Sequence, residues 1–141
     1  MKLTLSLLIV SLLIQLNLMA QPDEYLLKDN WKAKRSTDVT VDGTEITGAD
    51  FKPEGWLDAV VPGTILTTLL HNRQIPDPFF GLNNNLIPDV YNTGREYYTY
   101  WFFNEFEIPE INDGQQVWLN FRGINYFADI FLNGKRVNTK T

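Results

Sequence analysis

The sequence predicts an all-β fold, a sandwich or jelly roll with one short helix. Three observations carry this. Short β-prone runs alternate with turn residues along most of the chain, the pattern of packed antiparallel sheets. Val117, Leu119 and Phe121 alternate with Trp118, Asn120 and Arg122, which suits a strand with one face buried. Beyond an N-terminal leader, helical periodicity is confined to Thr64–Asn72.

The leader comes first. Lys2 is the only charge in Met1–Ala20, and Leu3–Leu16 is mostly apolar. Ala20 then offers a small residue before the polar Gln21-Pro22-Asp23-Glu24. A basic start, an apolar run and a small residue at the cut describe a secretory signal peptide. The run falls short of the ~20 residues that span a bilayer, so no membrane partner is expected after cleavage. Export to the periplasm or the extracellular space follows.

Removing twenty of the 141 residues leaves 121, enough for one domain over residues 21–141 and too few for two. That domain carries eleven basic and seventeen acidic side chains, a net charge of −6. An acidic surface has no electrostatic attraction to nucleic acid. There is no cysteine, so stability must come from a packed core, and thiolate metal sites are excluded.

The remaining elements follow in order. Trp31–Ser36 alternates weakly and reads as a strand. Asp38–Pro53 is a polar loop with a turn at Asp42-Gly43. In Thr64–Asn72, Ile65, Leu66, Leu69 and Leu70 form one apolar face, Thr64 supplies the N-cap and Pro62-Gly63 stops any helix from upstream. Gln74–Arg95 is a long loop with Pro76, Pro78, Pro88 and three consecutive asparagines, and loops of that length are often functional. Tyr97–Ile108 is a β-prone aromatic run, Pro109 to Gly114 a polar turn, and Asn125–Leu132 a further strand. Asn133-Gly134 between apolar runs is a strong hairpin signal, because both turn residues need positive φ. Its return strand would run into Thr141, so either the hairpin is very short, or the sandwich is truncated at its C-terminus and the chain is a fragment of a longer protein.

No catalytic residue is expected. Glu105 and Glu107 alternate with Phe106 on one strand, and two neighbours on a strand cannot flank a glycosidic bond from opposite sides. His71 is the single histidine; without cysteines it completes no zinc set or triad, and it suits a helix end. The glycines at 114, 123 and 134 follow turn spacing, not the spacing of a phosphate-binding loop, and no cofactor or metal is implied. The four Trp, six Tyr and nine Phe are many for this length. Trp101, Phe103 and Phe121 read as core. Asp77, Phe79, Phe80, Asn83 and Asn84 stand in the long loop. Their amides and carboxylate could reach sugar hydroxyls, or bond their own backbone as turn residues, and spacing leaves both readings open.

Four segments carry a family resemblance. Trp56 with Ala59-Val60-Val61-Pro62-Gly63-Thr64 resembles the entry to the first helix of the sugar-binding domain of family 2 glycoside hydrolases. Ile75-Pro76-Asp77-Pro78-Phe79-Phe80-Gly81-Leu82-Asn83 is similar to the following loop in the β-mannosidase and exo-β-glucosaminidase branch. Tyr98-Thr99-Tyr100-Trp101-Phe102 resembles the next strand, and Val117 through Gly134 the family's most recognisable stretch. The resemblance spans roughly Trp31 to Val137. It implies a galactose-binding-like jelly roll that packs beside an immunoglobulin-like domain and a (β/α)8 barrel, both absent here. In such enzymes the barrel supplies the acid/base and the nucleophile of a retaining hydrolysis. It further implies a carbohydrate substrate, with Asp77, Asn83 and Asn84 as the substrate-binding residues.

The expected function is therefore the non-catalytic N-terminal domain of an exported retaining β-glycosidase, acting on non-reducing β-linked sugars. A free-standing carbohydrate-binding module and a purely structural docking domain are the alternatives.

Overall fold

The computed structural model describes residues 24–87, 98–108 and 110–138. The leader, the end of the long loop and the last three residues lie outside these. Among the described residues no helix is long and apolar enough to cross a membrane.

Strand β1 (Lys32–Arg35) is the centre of a three-stranded antiparallel sheet, with β2 (Leu57–Asp58) on one side and β3 (Tyr100–Phe103) on the other. Lys32 faces Asp58 on β2 and Phe103 on β3, and Arg35 faces Tyr100. Ala33 is wholly buried at the middle of the sheet. Around it Phe51, Trp56 and Phe103 meet edge-on, with centroids 5.6–6.3 Å apart, the arrangement that ring quadrupoles prefer. Two-residue β2 has no periodicity to read. It exists because β1 offers it a ladder, extended by Ala59 N donating to Trp31 O (2.8 Å) and by Lys32 Nζ on Asp58 Oδ1 (2.5 Å).

The turn expected at Asp42-Gly43 is instead the start of a one-turn helix, α1 (Gly43–Ile46). The Asp42 carboxylate accepts from Glu45 N (3.0 Å), so a local side-chain cap decides between turn and helix. Helix α2 (Ile65–His71) matches the expected span. Thr64 and Thr67 form a reciprocal capping box, with threonine where glutamate is usual. Thr68 and Leu69 are buried, while Leu70 is largely exposed, so the apolar stripe is narrower than its periodicity implied. Thr68 Oγ1 accepts from Val60 N (3.1 Å), and the Asn72 amide grips both the C=O and the N–H of Asp58 (2.8 and 3.3 Å). These bonds fasten α2 to β2.

β4 (Phe131–Leu132) and β5 (Lys135–Arg136) form the expected hairpin, with Asn133 at φ 47° and Gly134 at φ 75°. Phe131 tilts against Trp101 at 5.9 Å and lies on Gly43, where any Cβ would overlap its ring. Gly134 N donates to Thr47 Oγ1 (2.9 Å), so the hairpin rests on α1.

Three strand expectations need correction. β3 ends at Phe103, and Glu105 and Glu107 follow it as exposed irregular chain. Val117–Arg122 is not a strand, and only the last two residues of Asn125–Leu132 are. Alternation makes a strand only where a neighbour takes its N–H and C=O groups, and among the described residues none runs beside 117–122. Phe121, expected in the core, is consequently exposed, as is Trp118; Phe103 is buried and Trp101 half-buried. The all-β expectation holds: the described chain is mostly strand and loop, with α2 as its longest helix.

Two predictions follow from these contacts. Helix α2 ends in a Schellman motif: Gln74 N donates to Leu69 O (2.9 Å) and Arg73 N to Leu70 O (3.0 Å), with Arg73 at φ 55°. A side chain at that φ is strained, so Arg73→Gly should stabilise the protein by about 1 kcal/mol in urea unfolding. A drop in the midpoint would show that Arg73 does more than occupy the turn. The Lys32 ammonium, hydrogen-bonded to Asp58, holds that carboxyl below its usual range. A lowered folded pKa stabilises above the unfolded value of about 4 and is lost as pH falls through the folded one. The small stability difference between wild type and Asp58→Asn should thus be present near neutral pH and vanish in acid. A difference that grows as pH falls would contradict the pairing.

Candidate functional site

The Schellman turn at Arg73 throws the chain out of α2 into the long loop, and the loop's own side chains then shape it. Asp77 Oδ1 accepts from Phe79 N (2.9 Å), an Asx turn, and Asp77 O accepts from Phe80 N (3.2 Å) and from Asn83 Nδ2 (3.0 Å). A short 3-10 helix, Asn83–Leu86, closes the loop. The structure therefore brings Asp77 and Asn83 together, with Asn84 exposed beside them. Both members of the pair engage the backbone, the turn-residue reading. Asp77 Oδ2 and Asn83 Oδ1 still have no partner among the described residues, so each retains an acceptor for a ligand. The same bracing holds Phe79 (96% exposed), Phe80 and Leu82 out into solvent.

A cleft of about 430 Å³ opens at the root of this loop. Leu69 and Ile75 form its apolar floor, both under a tenth exposed. Tyr98 and Tyr100 stand along one side, and Arg35, Asp38 and Gln74 bring polar groups to it. The Arg35 guanidinium lies 6.0 Å from the centre of the Tyr100 ring, within cation–π range. Asp77, Asn83 and Asn84 are not part of its lining. Sequence reasoning missed this cleft because its parts come from β1 and the turn after it, α2 and the root of the loop, and the run into β3. Only the pairing of Arg35 with Tyr100 joins them, and no spacing along the chain encodes that register. Glu105 and Glu107 line a second cleft of about 290 Å³, with residues 26–30 on its other side.

Comparison with known proteins locates this fold. The family described as glycosyl hydrolase 2 galactose-binding domain-like matches residues 31–141. A mannosylglycoprotein endo-β-mannosidase of Lilium longiflorum is 50% identical over 115 residues, which is 79% of this chain and 12% of that protein. An exo-β-D-glucosaminidase of Streptomyces avermitilis is 25% identical over 70% of this chain and 10% of its own length. A β-mannosidase B of Emericella nidulans is 28% identical over 79% of this chain and 11% of its own length. The chain thus spans about a tenth of the length of the curated relatives it matches. No solved structure matches it. The match across residues 31–141 and the half-identical relative together make this chain a member of the glycosyl hydrolase 2 galactose-binding-like N-terminal domain family, in its β-mannosidase and exo-β-glucosaminidase branch.

Proposed function

We propose that this chain is the non-catalytic N-terminal domain of an exported retaining β-glycosidase that cuts β-mannosyl linkages in oligo- or polysaccharides. The observation that carries the sugar assignment is the 50% identity to a relative named for β-mannosidase activity, against 25% to one named for glucosaminidase activity. Two modes of attack remain in view. The glucosaminidase name carries attack at chain ends, the mode expected from the sequence. The lily enzyme's name carries internal cleavage, and its higher identity favours that mode.

The non-catalytic reading rests on chemistry. Retaining hydrolysis needs two carboxyl groups about 5–5.5 Å apart across a sugar. Asp38 is the one carboxylate lining the larger cleft. On the family resemblance, the acid and the nucleophile are assigned to a barrel domain elsewhere in the enzyme. Exposed Val117, Trp118, Phe121, Tyr126 and Phe127 support a domain partner, since an apolar surface of that extent is costly in water. In the assembled enzyme, the open acceptors of Asp77 and Asn83 and the Asn84 amide would meet the substrate's hydroxyls.

Three outcomes are expected. The purified 141-residue chain leaves aryl β-mannosides intact, while the full-length protein hydrolyses them; turnover by the chain alone would end the non-catalytic reading. In the full-length protein, Asn84→Ala lowers kcat/KM about tenfold, the worth of one hydrogen bond to substrate, without moving the unfolding midpoint. Unchanged kinetics would remove Asn84 from the site. Protein recovered after expression with its own leader has a mass that begins at Gln21; a mass retaining Met1 in the exported fraction would refute cleavage after Ala20.

A further inference from the structure

We propose that the cleft at the root of the loop is a saccharide subsite that takes one hexopyranose unit, distinct from the contacts of Asp77, Asn83 and Asn84. This rests on the carbohydrate-directed reading above and adds a second point of attachment to it.

Size is the first argument. About 430 Å³ falls within the range of small-molecule pockets, ~300–1,000 Å³. Chemistry is the second. A pyranose has a C–H face and a rim of hydroxyls, so its site needs an apolar surface with acceptors and donors at the edge. Leu69, Ile75 and the Tyr100 ring supply the surface. At the edge, the Asp38 carboxylate engages only the neighbouring Thr37 hydroxyl (3.3 Å), which leaves one oxygen open to accept from a hydroxyl. The Gln74 amide makes one long contact, Nε2 to Asn72 O at 3.4 Å, and can both donate and accept. The Tyr100 hydroxyl has no hydrogen-bond partner among the described residues. Unengaged polar atoms of three kinds thus surround an apolar floor.

Position is the third argument. The Arg35 guanidinium lies within cation–π range of the Tyr100 ring, and both line the cleft. The register of β1 on β3 fixes both residues, and α2 and the root of the loop bring Leu69, Gln74 and Ile75 to them.

The test is an amide NMR titration of the 141-residue chain with β-1,4-mannobiose. Saturable shifts are expected at Asp38, Gln74 and Tyr100, with a dissociation constant in the millimolar range. Asp38→Asn and Tyr100→Phe keep shape and remove one hydrogen-bonding function each. Each should weaken binding about tenfold with unchanged spectral dispersion. Wild-type affinity retained in both variants, or no shift at these amides at saturating sugar, overturns the site. Shifts confined to 77–84 and lost in Asn84→Ala would overturn the cleft and leave the carbohydrate reading standing. Absence of any shift, together with β-mannosides left uncut by the full-length protein, would overturn both.

Discussion

The joint between α2 and the sheet sets everything the domain can present. Thr68 and Asn72 stand one turn apart on the helix, and both reach back to the backbone around β2, at Val60 and at Asp58. A helix of seven residues is too short to be stable alone, so its position must be imposed by such contacts. Once α2 is fastened, its Schellman end fixes where the chain leaves, and Ile75 turns inward as the first buried residue of the loop. The cleft floor and the base of the loop are both consequences of that exit.

Much of this was legible in the chain, and the part that was not has a common cause. The limits of α2 followed from Thr64, from Pro62-Gly63 and from the spacing of Ile65, Leu66, Leu69 and Leu70. The hairpin followed from Asn133-Gly134. These signals are local, written within one or two turns of chain. β2 was invisible, because a two-residue strand has no period and exists through its neighbour. For Val117–Arg122 the alternation was real, yet no described strand takes up its hydrogen bonds. The same failing hid the cleft, whose polar groups come from segments more than sixty residues apart in sequence, such as Arg35 and Tyr100. Residue types at Asp77, Asn83 and Asn84 were readable, but whether they spend themselves on the backbone is decided by loop geometry.

That geometry also explains how a loop can be both braced and available. An Asx turn consumes one carboxylate oxygen, and a side-chain amide bridging to a backbone carbonyl consumes one N–H. Each group has capacity left, because a carboxylate has two oxygens and an amide has both a donor and an acceptor end. Bracing lowers the entropy lost when a ligand is met, so in the proposed sugar contact the same bonds that look structural would improve recognition. The two readings of Asp77 and Asn83 are therefore compatible.

The exposed aromatics follow the same logic of a shared task. Phe79 and Phe80 stand exposed on a loop braced by its own hydrogen bonds. Val117 to Phe127 offers a second apolar surface, and Trp118 and Tyr126 within it are hardly covered at all. Among the described residues the buried apolar side chains are Ala33, Ile46, Leu69, Ile75 and Phe103. So small a core beside so much exposed aromatic area is what the proposed packing against further domains of a glycosidase would account for. In a multidomain glycosidase the sugar would lie between such parts, with binding groups on one and the reacting carboxylates on the other.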